Sequence, residues 1–344
     1  MTSEVLKGPI TGFVSSPESE MGVAHEEWLD LIDREYLSQF ISAGGSAVKF
    51  VEGEPEQLAE VQARLAALAE RHGLATCHID ASQTKLHMIQ DVFFAISRNL
   101  DWQAMAQGFV EALVTKNGYQ WPRPGGAAIE AIAAYNKIDK WLFRRDLNAW
   151  LTEEIMQDRW MTEDFRIAMA QLCLTRLAPD DADAGATAPV LQWLRGELRA
   201  IGALRQTYIT GKITRHNGRS MLRSLCRWLR LCGRKGICLT LDIRHALRAG
   251  AAPAEGVRYS AAAVMDAFEV LRQLIDDAEA FQGLLAVVLA EQSLTGDDPK
   301  RSLNAYDALK LRVWDDVRAT GRDNPLAALV RLNPPPPQLI GTAW

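Results

Sequence analysis

Four short apolar runs constrain this chain more than anything else in it. They are Ala47–Glu52 (AVKFVE), Leu74–Asp80 (LATCHID), Gly236–Asp242 (GICLTLD) and Gly283–Ala290 (GLLAVVLA). Runs of this length bounded by turn residues read as strands, and continuous apolar ones as strands covered on both faces. Between the first two, Leu58, Val61, Leu65 and Leu68 recur at helical spacing over Glu56–Arg71, and Gly73 closes the helix. Strand, helix, strand in so short a stretch is a βαβ unit, which implies a parallel sheet with a right-handed crossover.

The segment between the second and third strands has a different character. Its periodicity predicts helices near 86–99, 102–116, 127–137, 139–157 and 162–176, with no strand. The tracts Trp121–Gly126 and Ala178–Pro189 read as loops. Helices are also expected over 28–40, Asn217–Leu231, Ala261–Ala280 and Tyr306–Arg318, and Leu326–Leu332 is short and apolar. The expected organisation is therefore a polar N-terminal tail (1–29), an α/β domain split into 30–85 and 202–332, a helical insertion (86–201) and a Pro-rich C-terminal tail (333–344). No apolar run is long enough to span a bilayer, and residues 1–13 lack the pattern of a secretory signal. The five cysteines are scattered without a C-x-x-C pair, which suits a reducing compartment. A cytoplasmic location is expected.

Buried parallel strands, the third ending in Leu241-Asp242, suggest a P-loop plan with the sheet flanked by helices. Such a plan needs a glycine-rich loop after the first strand, a Lys for the β/γ-phosphates and a Ser or Thr hydroxyl for Mg²⁺. Here the corresponding segment is Glu52-Gly-Glu-Pro-Glu-Gln-Leu58, with the single glycine Gly53, no lysine and no hydroxyl. A helix N-terminus attracts anions through its free N–H groups and dipole. Glu54 and Glu56, flanking Pro55, already supply negative charge there. Each carboxylate–phosphate repulsion at 4 Å costs roughly 1–4 kcal/mol. The loop is not expected to bind ATP phosphates in the usual manner.

Asp242 occupies the place of a Mg²⁺-associated acid, but Ile243 follows it where a water-activating carboxylate is needed. The plainer reading is that Asp242 caps a helix over Ile243–Arg248. Glu291 ends the fourth strand, and Gly53, Asp242 and Glu291 together outline a degenerate nucleotide site at the carboxyl edge of the sheet. No catalytic residue, cofactor or resident metal is assigned. The six histidines are dispersed; His78 and Asp80 share a strand face.

Several C-terminal segments carry a resemblance. Gly211–Leu225 (GKITRHNGRSMLRSL), Gly236–Asp242, Ala267–Asp277 (AFEVLRQLIDD), Tyr306–Val313 (YDALKLRV) and Asn324–Leu332 (NPLAALVRL), with Gly44–Phe50 before them, resemble the BREX-system ATP-binding domain family of bacterial phage-exclusion gene clusters. The resemblance implies an ASCE-type P-loop core, work on or near DNA in phage defence, and helicase-, methyltransferase- or nuclease-like protein partners. This chain departs from the family at both catalytic motifs, so the scaffold and its partners are carried over and the ATPase activity is not. Arg312 matches a position that is either finger-like or at an interface; a surface ion pair explains it equally.

Charge is distributed unevenly. No acid lies between Glu197 and Asp242, while ten basic residues do. Arg215, Arg219, Arg223, Arg227, Arg230 and Arg234 recur at spacings of four and three, and on a helix they form one stripe, with Lys212 just upstream. Leu222, Leu225, Trp228 and Leu229 are expected to face inward. The stripe suits sequence-neutral contact with nucleic-acid phosphates. It equally suits a solvated face, pairing with acids such as Asp276 and Asp277, or an acidic protein partner. Trp141, Trp150 and Trp160 of the insertion are expected in the core.

The leading functional reading is a non-hydrolysing adaptor of an anti-phage system that assembles with a DNA-acting partner. A DNA-binding module and an NTPase with an unusual phosphate site are the alternatives.

Overall fold

A computed structural model describes residues 22–122, 128–177, 187–249, 256–314 and 324–333. Residues 123–126 of the loop Trp121–Gly126, the linker 178–186, residues 315–318 of the last expected helix, and all of the two tails except 22–29 and Asn333 lie outside the described residues.

The four predicted strands form within a residue of their expected limits: β1 (Ala47–Glu52), β2 (Ala75–Asp80), β3 (Ile237–Asp242) and β4 (Leu284–Ala290). The short apolar run near the C-terminus supplies β5 (Leu329–Arg331). They make one five-stranded sheet in the order β2-β3-β4-β1-β5, with every pair parallel. This is the P-loop-like plan, with β4 inserted between β1 and the acid-ended β3.

Side chains alternate between two hydrophobic clusters, as the pleat requires. On one face Val51, Cys238, Leu285, Val287, Leu289 and Val330 pack under α1 (His25–Leu31), its π-helical continuation Ile32–Ile41, and α2 (Pro55–Arg71). On the other, Phe50, Ile79, Leu239, Leu241, Ala286 and Val288 belong to a larger cluster. That cluster takes in α3 (Ile89–Arg98), α4 (Trp102–Lys116), α5 (Ile129–Tyr135), α6 (Lys140–Leu151), α7 (Glu163–Leu177), α8 (Thr187–Arg195) and α9 (Gly218–Leu231). It also holds α10 (Arg244–Leu247), α11 (Ala261–Asp276) and α12 (Asp307–Val313). Sheet and helical block thus share one continuous core.

Three local expectations are corrected. Helix α8 was not expected, and it takes Thr187–Pro189 out of the anticipated loop; Pro189 falls in the first helical turn, where a missing N–H costs nothing. Packing begins before residue 30: Val23 bridges Leu332, and Trp28 and Leu29 are fully buried. Trp141 and Trp160 are not core residues, being 70% and 56% exposed, whereas Trp150 stacks against Tyr119 and Phe143.

Strands β3 and β4 start from a close backbone approach. A Cβ on Gly236 would lie 2.1 Å from the Gly283 carbonyl oxygen. Gly283 itself has φ +79° and faces the Lys235 carbonyl oxygen at 2.6 Å from an added Cβ. Only glycine fits both conditions.

Candidate functional site

The carboxyl end of β1 is where a P-loop fold would splay its backbone around phosphates. Here the chain stays in the sheet. Glu52 pairs with Ala290 on one side and Arg331 on the other. The next amide, Gly53 N–H, donates to the Ala290 carbonyl (3.2 Å), and Leu332 N–H donates to the Glu52 carbonyl (2.7 Å). Amides that a phosphate loop leaves free for a ligand are consumed by strand pairing.

The side chains close the space further. Glu52 is 1% exposed. One of its carboxylate oxygens accepts from Thr295 N–H (2.9 Å); the other accepts from Thr295 Oγ1 (2.9 Å) and Arg331 Nε (3.3 Å). Burial pushes this carboxyl up from its usual range, against the opposing pull of Thr295 and Arg331. Arg331 also lies over the Trp314 ring at 5.5 Å. A buried carboxylate, with its own hydroxyl and guanidinium partners, thus occupies the carboxyl end of β1.

Helix α2 begins beside it, capped as the acidic pattern predicted. Glu54 is the N-cap and Pro55 falls in the first turn. Glu54 and Gln57 form a reciprocal capping box, Gln57 Oε1 accepting from the Glu54 amide at 3.2 Å. Gln57 Nε2 then donates to the Asn333 carbonyl (2.6 Å), which ties the C-terminal segment across the helix start. A Cβ on Gly53 would meet Leu332 Cδ1 at 3.0 Å. What remains is a cavity of about 40 Å³ lined by Glu52, Gly53, Glu54, Gln57, Gln292 and Arg331. That volume holds a few waters, whereas small-molecule sites run to about 300–1,000 Å³.

Asp242, 5% exposed at the end of β3, is held by Arg244. Its oxygens accept the Arg244 amide (3.0 Å), Nε (3.0 Å) and Nη2 (2.6 Å). The helix it was expected to cap is shorter, Arg244–Leu247, with Ile243 at its N-cap; Asp242 instead accepts the first amide of that turn. Glu291 pairs with Arg248 at 2.7 Å. The register sets Asp242 beside Leu289, two residues before Glu291, and each acid carries its own arginine. Gly53, Asp242 and Glu291 therefore share the carboxyl edge of the sheet, with both acids engaged by arginines. No group of three metal-ligating side chains occurs among the described residues. His78 Nδ1 meets Thr240 Oγ1 at 2.9 Å on the neighbouring strand. A roomier cleft lies elsewhere, at the amino end of β2: about 600 Å³, lined by Leu74, Thr76, Leu100, Met105, Cys232 and Arg234 among others.

Of the expected stripe, Arg219, Arg223, Arg227 and Arg230 lie on α9, whose Leu222, Leu225, Trp228 and Leu229 are buried as expected; Lys212 and Arg215 precede the helix and Arg234 follows its C-cap, so they continue the basic segment off the helix. Its members differ in use. Arg219 pairs with Asp277 (2.9 Å), Arg227 with the buried Asp158 (2.7 Å), and Arg230 Nη1 donates to the carbonyls of Lys235 (2.7 Å) and Ser42 (3.3 Å). The side chains of Lys212, Arg215, Arg223 and Arg234 have no hydrogen-bonding or ionic partner among the described residues. Arg312 makes an ion pair with Asp276 and donates to the Ala308 carbonyl (2.6 Å).

Sequence reasoning did not single out Thr295, Arg331, Gln57 or Lys49. The first three act through partners 243, 279 and 276 residues away, which no local pattern reports. Lys49 had a signal, a cation inside an apolar strand. It is 5% exposed, donates to the carbonyls of Leu326 (2.6 Å) and Ala327 (3.2 Å), and sits over the Tyr36 ring at 4.6 Å. Burial lowers its ammonium to about 8.

An all-parallel sheet in this order, with an acid ending β3 and a helix starting after β1, defines a P-loop-like protein. A family description, BREX system ATP-binding protein BrxC/D, matches residues 34–338, and the chain belongs to that family. No curated protein and no solved structure matches the chain. No helix among the described residues is long and apolar enough to cross a membrane.

Proposed function

We propose that this BREX-family chain is a non-hydrolysing adaptor or scaffold of an anti-phage assembly, and that it docks a DNA-acting partner of helicase, methyltransferase or nuclease type. The observation that supports this reading is the Glu52 carboxylate in the phosphate corner, held by Thr295 and Arg331. A triphosphate entering there would displace those bonds and meet Glu52, Glu54 and Glu56 in a space of about 40 Å³. Asp242, committed to Arg244, adds no open position for Mg²⁺. The test is twofold. Melting is measured with and without MgATP and MgGTP, and ATP turnover is assayed. An unshifted melting temperature with no turnover is expected; turnover abolished by an Asp242 or Glu52 variant would establish the NTPase reading instead. Co-purification with the helicase-, methyltransferase- or nuclease-like products of adjacent genes tests the adaptor role.

A second reading has its own support. Lys212, Arg215, Arg223 and Arg234 are unpaired among the described residues, in a segment without acids, and they suit phosphate contact together with the rest of the stripe, Arg219, Arg227 and Arg230. A gel shift across a salt series tests it: affinity should fall linearly on a log–log plot, and no shift at low salt would reject it.

A further inference from the structure

We propose that Trp160 and the arginines around it, Arg159 and Arg223, form a binding site for single-stranded nucleic acid, with Trp160 as the platform on which an unpaired base stacks. This rests on the basic-stripe reading and narrows its ligand.

The loop that carries Trp160 is fixed to α9 at both ends. On one side the Asp158 carboxylate, 4% exposed, takes Arg227 Nε (2.7 Å). On the other, Thr162 N–H donates to Ser224 Oγ (2.9 Å), and Thr162 Oγ1 reaches Met221 Sδ (3.5 Å). Asp158 also accepts the Trp160 amide (2.8 Å), and Arg166 Nη1 holds the Met156 carbonyl (2.5 Å) just upstream. An indole with 56% of its surface in water is thus presented from a rigid support, between two contacts to the turn of α9 that carries Arg223. A ring held this firmly loses little side-chain freedom when a flat ligand lies on it.

Charge decides what covers it. Arg159 is exposed and Arg223 half-buried, and neither has a partner among the described residues. The acids nearby are largely committed: Asp158 to Arg227, Asp277 to Arg219, and Asp164 to the Thr210 amide (3.5 Å), which leaves Glu163 exposed. A flat apolar ring next in sequence to Arg159, on a loop fastened to the part of α9 that carries Arg223, suits a ligand with both a π-face and phosphates. Bases in a duplex are stacked on one another and offer no face, so the match is to a single strand. Trp141, which is 70% exposed on the α5–α6 corner, has the Lys140 ammonium over its ring at 5.9 Å, and that lysine is paired with Glu130.

The test uses the full chain and two probes, a fluorescein-labelled oligothymidylate and a duplex of the same length, titrated over a salt series. Wild type should bind the single strand more tightly. Trp160→Ala should weaken oligothymidylate binding about tenfold, leave duplex binding and the salt slope unchanged, and keep the wild-type melting temperature. Arg223→Ala should weaken both probes and reduce the salt slope by about one. Trp141→Ala should change nothing. If Trp160→Ala binds oligothymidylate like wild type, or the duplex binds as tightly as the single strand, the stacking site is overturned and the basic-stripe reading stands. If neither probe binds at low salt, both fall. Polyglutamate bound as tightly as oligothymidylate, with no effect of Trp160→Ala, would mark the stripe as a dock for acidic polypeptide and overturn the proposal.

Discussion

Glu52 and Thr295 meet twice across the top of the sheet, the main-chain amide on one carboxylate oxygen and the hydroxyl on the other, each at 2.9 Å. Glu52 ends β1, and Thr295 lies in the connection that follows β4. Their contact fastens the turn after β4 to the end of β1, so the corner is a structural joint.

Replacing Glu52 with Ala should cost about 1–3 kcal/mol, because it strands the Thr295 donors in a largely buried place. Glu52→Gln keeps an acceptor and should cost less. Because burial raises the Glu52 carboxyl, the folded state holds its proton to higher pH than the unfolded state does. Wild type should therefore lose stability relative to Glu52→Gln as pH rises from 4.5 through the raised value. Urea unfolding of the three proteins between pH 4 and 7 reads both effects.

Lys49→Met should stabilise the protein at pH 7. The lysine titrates near 8 in the fold against 10.5 in the open chain. Below 8 the folded state carries the full burden of a buried ammonium, on the order of 2–3 kcal/mol. Between 8 and 10.5 the unfolded chain binds more protons, so wild-type stability rises with pH and the gap to Lys49→Met narrows. Denaturant midpoints at pH 7 and pH 10 check this.

Arg227→Ala should destabilise by about 2–4 kcal/mol, since it leaves the Asp158 carboxylate buried without its cation. The double variant with Asp158→Ala should recover part of the loss, and the double-mutant cycle gives the coupling. Of the stripe, Arg227 serves the fold most directly.

Gly283→Ala should destabilise by about 2–4 kcal/mol through its positive φ and the overlap with Lys235 and Gly236. Thermal melting gives the magnitude; a loss under 1 kcal/mol would mean the two strand starts can separate.

The sheet was legible because β1 to β4 are written as local apolar runs, and the family because its segments are contiguous stretches. The acidic start of α2 was legible too, from Glu54, Pro55 and Glu56 alone. What fills the corner was not, since Thr295 and Arg331 have no local pattern tying them to Glu52. Trp141 and Trp160 were expected in the core by default, as large apolar side chains of the insertion, and residue type says nothing of whether a neighbouring element arrives to cover them. Arg219 and Asp277 were correctly available to one another by charge, but only the packing of α11 against the sheet makes them a pair.

The bridge between Val23 and Leu332, with Val23 N–H on the Arg331 carbonyl (2.9 Å) and Asn333 N–H on the Val23 carbonyl (3.0 Å), gives β5 a cover on its outer side. A truncated protein starting at Trp28 would keep all five strands and yet expose that flank as a sticky seam. Its characteristic failure would be self-association in solution, with the far-ultraviolet dichroism of a folded protein retained.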